Sequence, residues 1–176
     1  MTITRIAILG PESTGKSQLA EKLATHFQSV WVREFARDYL QALDRPYTLK
    51  DVEKCREGQI RLEEEALTEN CSPVFFDTDT TINFDIWLEE RFGIEKLHHD
   101  YSPEKRYDFY LLTYPDLPFV ADPLRENPHK REYLFNRYKE ALATYGIPFR
   151  VVKGTDTDRL KNAIDAIKSW QSTISQ

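Results

Sequence analysis

Residues Gly10-Pro11-Glu12-Ser13-Thr14-Gly15-Lys16-Ser17 match G-x-x-x-x-G-K-[ST] at every fixed position. The glycines let the backbone curl until several N–H groups point inward. That nest, with the positive end of a following helix, binds phosphate oxygens. Lys16 adds a charge at the β- and γ-phosphates, and Ser17 offers a hydroxyl to Mg²⁺. The expected cofactors are therefore ATP and Mg²⁺, held by the eight residues from Gly10 to Ser17. Asp77 ends the apolar run Val74-Phe75-Phe76, an acid placed to share Mg²⁺ with Ser17. Asp79, two residues on, either caps the next helix or makes a second polar contact at the metal or at the acceptor.

The acceptor chemistry rests on weaker spacing. Glu34 follows the apolar triplet Val30-Trp31-Val32. It can take the proton of a sugar hydroxyl, or hold the sugar in line with the γ-phosphate. Arg37, one helical turn later, can orient that group. The other reading of Arg33, Glu34 and Arg37 is a surface cluster worth little energy. Arg125 and Arg131 lie in a charged, proline-rich stretch and can neutralise the moving phosphoryl group. They can equally belong to a solvated loop. A flat base would need an aromatic wall, for which Trp87, Phe84, Tyr39, Phe119 and Tyr114 are available, although most aromatics must fill the core.

The elements that must position these residues are legible from periodicity. Ile3 to Leu9 is a nearly unbroken apolar run, typical of a strand buried on both faces. From Lys16 the period changes: Leu19, Leu23 and Phe27 fall on one helical face. A second strand at 30–32 runs into a helix at 33–40 that ends before Pro46. Thr48 caps a long helix reaching Thr68, with Asp51 at the capping-box position. Strands follow at 74–77, 109–112 and 149–152. Helices carry Ile82, Ile86 and Trp87, then Tyr133 to Tyr145 with Gly146 past the end, then Leu160 to Trp170. The segment from Gly93 to Lys105 fits no single pattern. Strand and helix alternate five times, which predicts an α/β, three-layer P-loop fold with a five-stranded parallel sheet. Ligands then belong at the carboxyl ends of the strands, where each chemical candidate already lies. Residues 117–131 read as a lid, and 1–176 as a single domain.

Composition sets the outer limits. The 176 residues are 40% hydrophobic and 30% charged, enough for a core with a solvated surface. With 24 Lys plus Arg against 29 Asp plus Glu, the net charge of −5 disfavours a generally basic nucleic-acid binder. No stretch approaches a membrane span, and no signal-peptide core opens the chain. Cys55 and Cys71 lack metal-ligand spacing and read as reduced thiols, so a cytoplasmic location is expected. His98-His99 reads as an exposed pair rather than a metal site. The N-K-x-D and D-x-x-G patterns are missing, which disfavours a GTPase switch.

The blocks AILGPESTGKS, VREFARDYL, VFFDTDTT and FVADPLR, in that order, resemble the ribosylnicotinamide kinase domain of NadR-type bacterial NAD-biosynthesis proteins. The similarity runs from the first strand to about Arg159. It implies Mg·ATP at Gly10 to Ser17, a riboside near Glu34 and Arg37, metal and acceptor near Asp77 and Asp79, and Arg125 in the lid. The implied reaction makes nicotinamide mononucleotide from nicotinamide riboside. Gly154-Thr155, after the fifth strand, is where the fold analogy rests adenine. The family's glycine before the lid leucine is Pro123 here, and no H-x-G-H motif for adenylyl transfer is present. Two other readings stay open: a kinase for another nucleoside or vitamin, and a nucleotide-dependent binding module with slow ATP or GTP hydrolysis.

Overall fold

The computed structural model describes residues 3–95 and 103–174. Five strands, β1 (Arg5–Leu9), β2 (Trp31–Val32), β3 (Val74–Asp77), β4 (Phe109–Thr113) and β5 (Phe149–Val152), form one sheet in the order β2-β3-β1-β4-β5. Every pairing is parallel, with Ile6 opposite Phe75 on one side and Phe109 on the other. The helices are α1 (Lys16–Phe27), α2 (Phe35–Gln41), α3 (Leu49–Leu67), α4 (Ile82–Phe92), α5 (Pro103–Arg106), α6 (Arg131–Thr144) and α7 (Asp156–Ile174).

The alternation within β1 explains the layers. Ile6 and Ile8 face one side of the sheet and pack with Leu19 and Leu23 of α1 and Ile167 and Trp170 of α7. Ala7 and Leu9 face the other and pack with Ile82 and Ile86 of α4 and Leu134 and Tyr138 of α6. Trp170 stacks on Phe109 with ring centroids 4.7 Å apart. Each leucine so buried contributes about 2 kcal/mol. The sequence-derived boundaries hold to within a residue or two at most ends. α2 starts at Phe35 rather than Arg33, because Glu34 is its extended N-cap residue. The Asp51 carboxylate accepts the Thr48 N–H at 2.7 Å, the return half of the expected capping box. Gly146 follows α6 at φ +65° and donates its N–H to Ala143 O.

A third, smaller apolar cluster joins α2, α3 and α4 through Ala36, Val52, Cys55, Phe84 and Leu88. Cys55 is buried within it, and neither cysteine is in a disulfide. Gly58, in the middle of α3, lies against the Phe35 ring: a Cβ there would come within 2.4 Å of it. The helix accepts the cost of a mid-helix glycine so that α2 can approach closely. Gly58→Ala should therefore lower stability by about 1–3 kcal/mol through overpacking, despite alanine's better helix propensity. Urea unfolding of the two proteins measures this, and a stabilised variant would contradict the packing.

Candidate functional site

β1 ends at Leu9 and delivers the chain to Gly10, whose φ is +149°. A Cβ at Gly10 would sit 2.2 Å from Thr113 Oγ1, so the loop leaves the sheet pressed against the end of β4. Thr113 Oγ1 also lies 2.7 Å from Thr14 Oγ1 and donates to Leu9 O. Ser13 and Gly15 adopt positive φ, 58° and 74°. α1 then begins without a side-chain cap and without an acid in its first turn. Its first N–H groups and the positive end of its dipole are therefore left for an outside anion. Lys16 lies over the loop with its ammonium on Pro11 O at 3.0 Å.

A cleft of about 1020 Å³ opens from this loop. Glu12, Ser13, Lys16, Ser17, Glu34, Arg37, Asp77, Trp87 and Arg125, all expected from the sequence, line it. Asp77 is 2% exposed, and its Oδ1 has no hydrogen-bond partner. Burial pushes the Asp77 carboxyl above its ordinary pKa, while Lys16, a hydrogen bond from Ser17 and Arg37 pull it down. Mg²⁺ prefers one or two protein oxygens plus phosphates and water. A free carboxylate oxygen beside the Ser17 hydroxyl, at the mouth of a phosphate loop, suits that preference. Among the described residues no cluster of three or more His, Cys, Asp or Glu could hold a metal by itself.

Glu34 enters the cleft from the N-terminus of α2. Burial, and then the Asp77 carboxylate, push its pKa up to about 7 against the pull of Lys16 and Arg37. A carboxylate so poised can take a proton near neutral pH. Arg37 does not bond to Glu34. It donates to Asp122 at 2.5 Å, and Arg33 pairs with Asp38 at 2.6 Å. The segment from Leu117 to Lys130 carries no helix and lies across the phosphate loop. Glu12 accepts the backbone N–H groups of Glu126 and Asn127, each at 3.0 Å, and Ser13 Oγ accepts that of Val120 at 2.9 Å. Arg125 reaches Ser13 Oγ at 3.4 Å and also donates to Val120 O.

The far half of the cleft is aromatic and polar. Trp87 donates its indole N–H to Tyr47 at 3.1 Å, and the two rings meet edge-on at 5.6 Å. Tyr47 in turn donates to Glu126. Asn83 and Tyr138 add a hydrogen-bonded pair at 3.0 Å.

The family model for the AAA domain, AAA_28, matches residues 5–159. The chain belongs to this family. Over 94% of its length it is 31% identical to the trifunctional NAD biosynthesis/regulator protein NadR of Salmonella typhimurium, of which it spans 42%. A crystal structure of NadR protein in complex with NAD and AMP-PNP superposes with a TM-score of 0.72 at 21% identity, covering 97% of this chain and 50% of that one. A crystal structure of NadR protein in complex with NR gives 0.71 at 24%, covering 95% and 51%. The chain thus spans about half, or less, of the length of these NadR proteins. The three-layer P-loop fold expected from the sequence is the fold of this AAA domain.

Within the AAA domain some expected site residues do other work. Asp79 does not face the cleft. Its carboxylate accepts the N–H groups of Ile82 and Asn83 and the hydroxyls of Thr81 and Tyr110, so both oxygens cap α4 and tie it to β4. Its role is the helix-capping alternative. Arg131 turns away from the cleft, onto backbone carbonyls of the phosphate loop. Gly154 donates its N–H to Asp116, and neither it nor Thr155 borders the cleft. Pro11 also lies outside the lining. Of the aromatic candidates only Trp87 lines the cleft; Tyr39, Phe84, Tyr114 and Phe119 do not. His98 and His99 lie outside the described residues. Among the described residues no helix is long and apolar enough to cross a membrane. Thr113, Tyr47, Asn83 and Tyr138 carry no motif. Only Thr113, ending a buried strand beside the phosphate loop, had a positional signal.

The raised pKa of Glu34 has a signed consequence for stability. The folded carboxyl, at about 7, holds its proton to higher pH than the unfolded one at 4.5. Its stabilising contribution is full below the unfolded value and is lost as pH rises through about 7. Glu34→Gln should therefore match the parent's melting temperature near pH 4.5 and exceed it at pH 8.5, in protein free of nucleotide and metal. Equal differences at both pH values would contradict a raised pKa.

Proposed function

We propose that this chain is a small-molecule kinase that transfers the γ-phosphoryl group of Mg·ATP to the 5′-hydroxyl of nicotinamide riboside, giving nicotinamide mononucleotide and ADP. The observation that carries this reading is the shared cleft: the phosphate loop and the aromatic wall of Tyr47 and Trp87 open into one space, with Glu34 between them in chemistry. A protein that only bound nucleotide would need no such second half. The choice of acceptor draws on the relatives, one named for NAD biosynthesis and one solved with NR. The choice of ATP draws on the phosphate loop and on the relative solved with AMP-PNP.

Each residue then has a task. The loop amides and Lys16 hold the β- and γ-phosphates. Ser17 and Asp77 would hold Mg²⁺, which neutralises phosphate charge when bound. Glu34 accepts the proton of the attacking hydroxyl as the new P–O bond forms and the bond to the ADP oxygen breaks. Arg37 and Asp122 join the acceptor side to the segment at 117–130, which acts as the lid. Arg125, carried on that lid, sits beside the phosphate loop and offsets charge on the transferring group. The protein would work in the cytoplasm, on a small-molecule acceptor.

The test incubates pure protein with Mg·ATP and a panel of nucleosides, and follows ADP and phosphorylated product together. Nicotinamide mononucleotide should form in step with ADP, far faster than ATP is hydrolysed without acceptor. Lys16→Ala and Asp77→Asn should each lower the rate by about 100-fold or more. ADP release that ignores every acceptor would overturn the kinase reading, and a better rate with another nucleoside would move the acceptor.

A further inference from the structure

The outer side of the phosphate loop is gripped by two arginines from distant parts of the chain. Arg131, the first residue of α6, donates from Nε to Glu12 O at 3.2 Å and from Nη2 to Ser13 O at 3.0 Å. Arg159, on α7, donates from Nη1 to Thr14 O at 3.1 Å. Three consecutive carbonyls of the loop are therefore engaged from outside. In a trans peptide the C=O and the following N–H point in opposite directions. Holding the carbonyls of Glu12, Ser13 and Thr14 outward turns the N–H groups of Ser13, Thr14 and Gly15 inward, toward the space a phosphate would take.

The two guanidiniums are themselves fixed. Arg131 also donates to Leu117 O at 2.9 Å. Arg159 is 3% exposed. It donates to Gly154 O at 2.8 Å and to Tyr114 O at 3.3 Å, and it is paired with the Asp116 carboxylate. Asp116 closes the arrangement by accepting the Gly154 N–H at 2.7 Å. Arg159 thus joins the phosphate loop, the exit of β4 and the β5–α7 loop at one point. Burial pulls the pKa of both arginines below the ordinary value, and Arg131 adds to the effect at Arg159. Both remain charged.

We propose that Arg131 and Arg159 are positioning residues for the nucleotide. They hold the phosphate loop in its anion-binding shape before any phosphate arrives, and act on the triphosphate through the loop amides rather than by touching it. The inference rests on the reading that this loop binds ATP, and adds how the site is made ready for it. A loop ordered in advance pays less ordering entropy on binding. The guanidinium is suited to the task because its planar fork reaches carbonyls of different segments at once. A lysine carries the same charge but cannot span them.

The experiment compares the parent with Arg159→Lys and Arg131→Lys. Calorimetry measures affinity for AMP-PNP and for inorganic tripolyphosphate, steady-state assays measure KM for ATP and for the acceptor, and ¹H–¹⁵N spectra follow the Ser13, Thr14 and Gly15 amides. Each variant should bind both probes roughly 10- to 100-fold more weakly, the size of one lost charge-assisted hydrogen bond. The acceptor KM should stay within about twofold, as expected for a group acting only on the nucleotide. The three amide signals should broaden in the free variants and sharpen again at saturating AMP-PNP. Unchanged affinity and unchanged amide signals would overturn the inference, as would equal losses for nucleotide and acceptor, which would mark general structural damage. If the parent itself bound neither probe, the reading of the loop as an ATP site would fall too. A parent that binds beside variants that bind equally well would remove only the inference.

Discussion

An α-helix that starts without a cap leaves its first N–H groups unsatisfied, and the rest of this site follows from where that happens. α1 begins at Lys16 behind a left-handed Gly15, with no side chain folded back over it. The start lies at the carboxyl end of β1, a strand flanked on both sides in the sheet. The sheet thus places the positive end of α1 at the carboxyl end of its central strand. The tight exit of β1 depends on β4, since Thr113 occupies the space a side chain at residue 10 would need. The loop's shape is thus decided by its neighbours as well as by its glycines.

The acidic groups gather around that positive helix end for the same reason. β3 lies next to β1 and ends in Asp77; β2 lies next to β3 and leads to Glu34. Parallel strands ending at one edge of a sheet bring together residues far apart in sequence. Burial raises the pKa of both carboxylates, Asp77 raises that of Glu34 further, and Lys16 and Arg37 counter this. Such a balance keeps one proton easily exchanged near neutral pH. The segment after β4 adds Pro123, Leu124, Arg125, Glu126 and Asn127 to the lining of the same cleft. Glu12 accepts two of its backbone N–H groups, so the phosphate loop and this segment are joined directly.

The acids Asp77 and Asp79 show how close spacing can hide different roles. They are two residues apart and both are buried. Asp77 ends the strand with one oxygen free in the cleft. Asp79 has turned the corner, and its oxygens are taken up by the start of α4 and by Tyr110. Spacing alone left Asp79 between capping and chemistry. The decision comes from Tyr110 on β4, two strands from β3 across β1, whose hydroxyl position depends on the β1–β3 and β1–β4 registers.

What the sequence determined is everything written in local order. The G-x-x-x-x-G-K-S loop, the buried strand runs, the Thr48 capping box and the acid ending β3 each depend on residues within a few positions of one another. The fold class and the phosphate half of the site follow from them. Tertiary structure alone decided the rest, because it depends on which distant segments meet. Tyr47 faces Trp87 only because the chain before α3 packs beside α4. Arg131 and Arg159 lie 28 positions apart by their numbering, yet they grip adjacent carbonyls of a loop more than a hundred residues earlier. A side chain bonded to a backbone carbonyl leaves no mark on residue type at the accepting end. No local pattern could show that an arginine expected at the phosphate instead stands behind the loop that binds it.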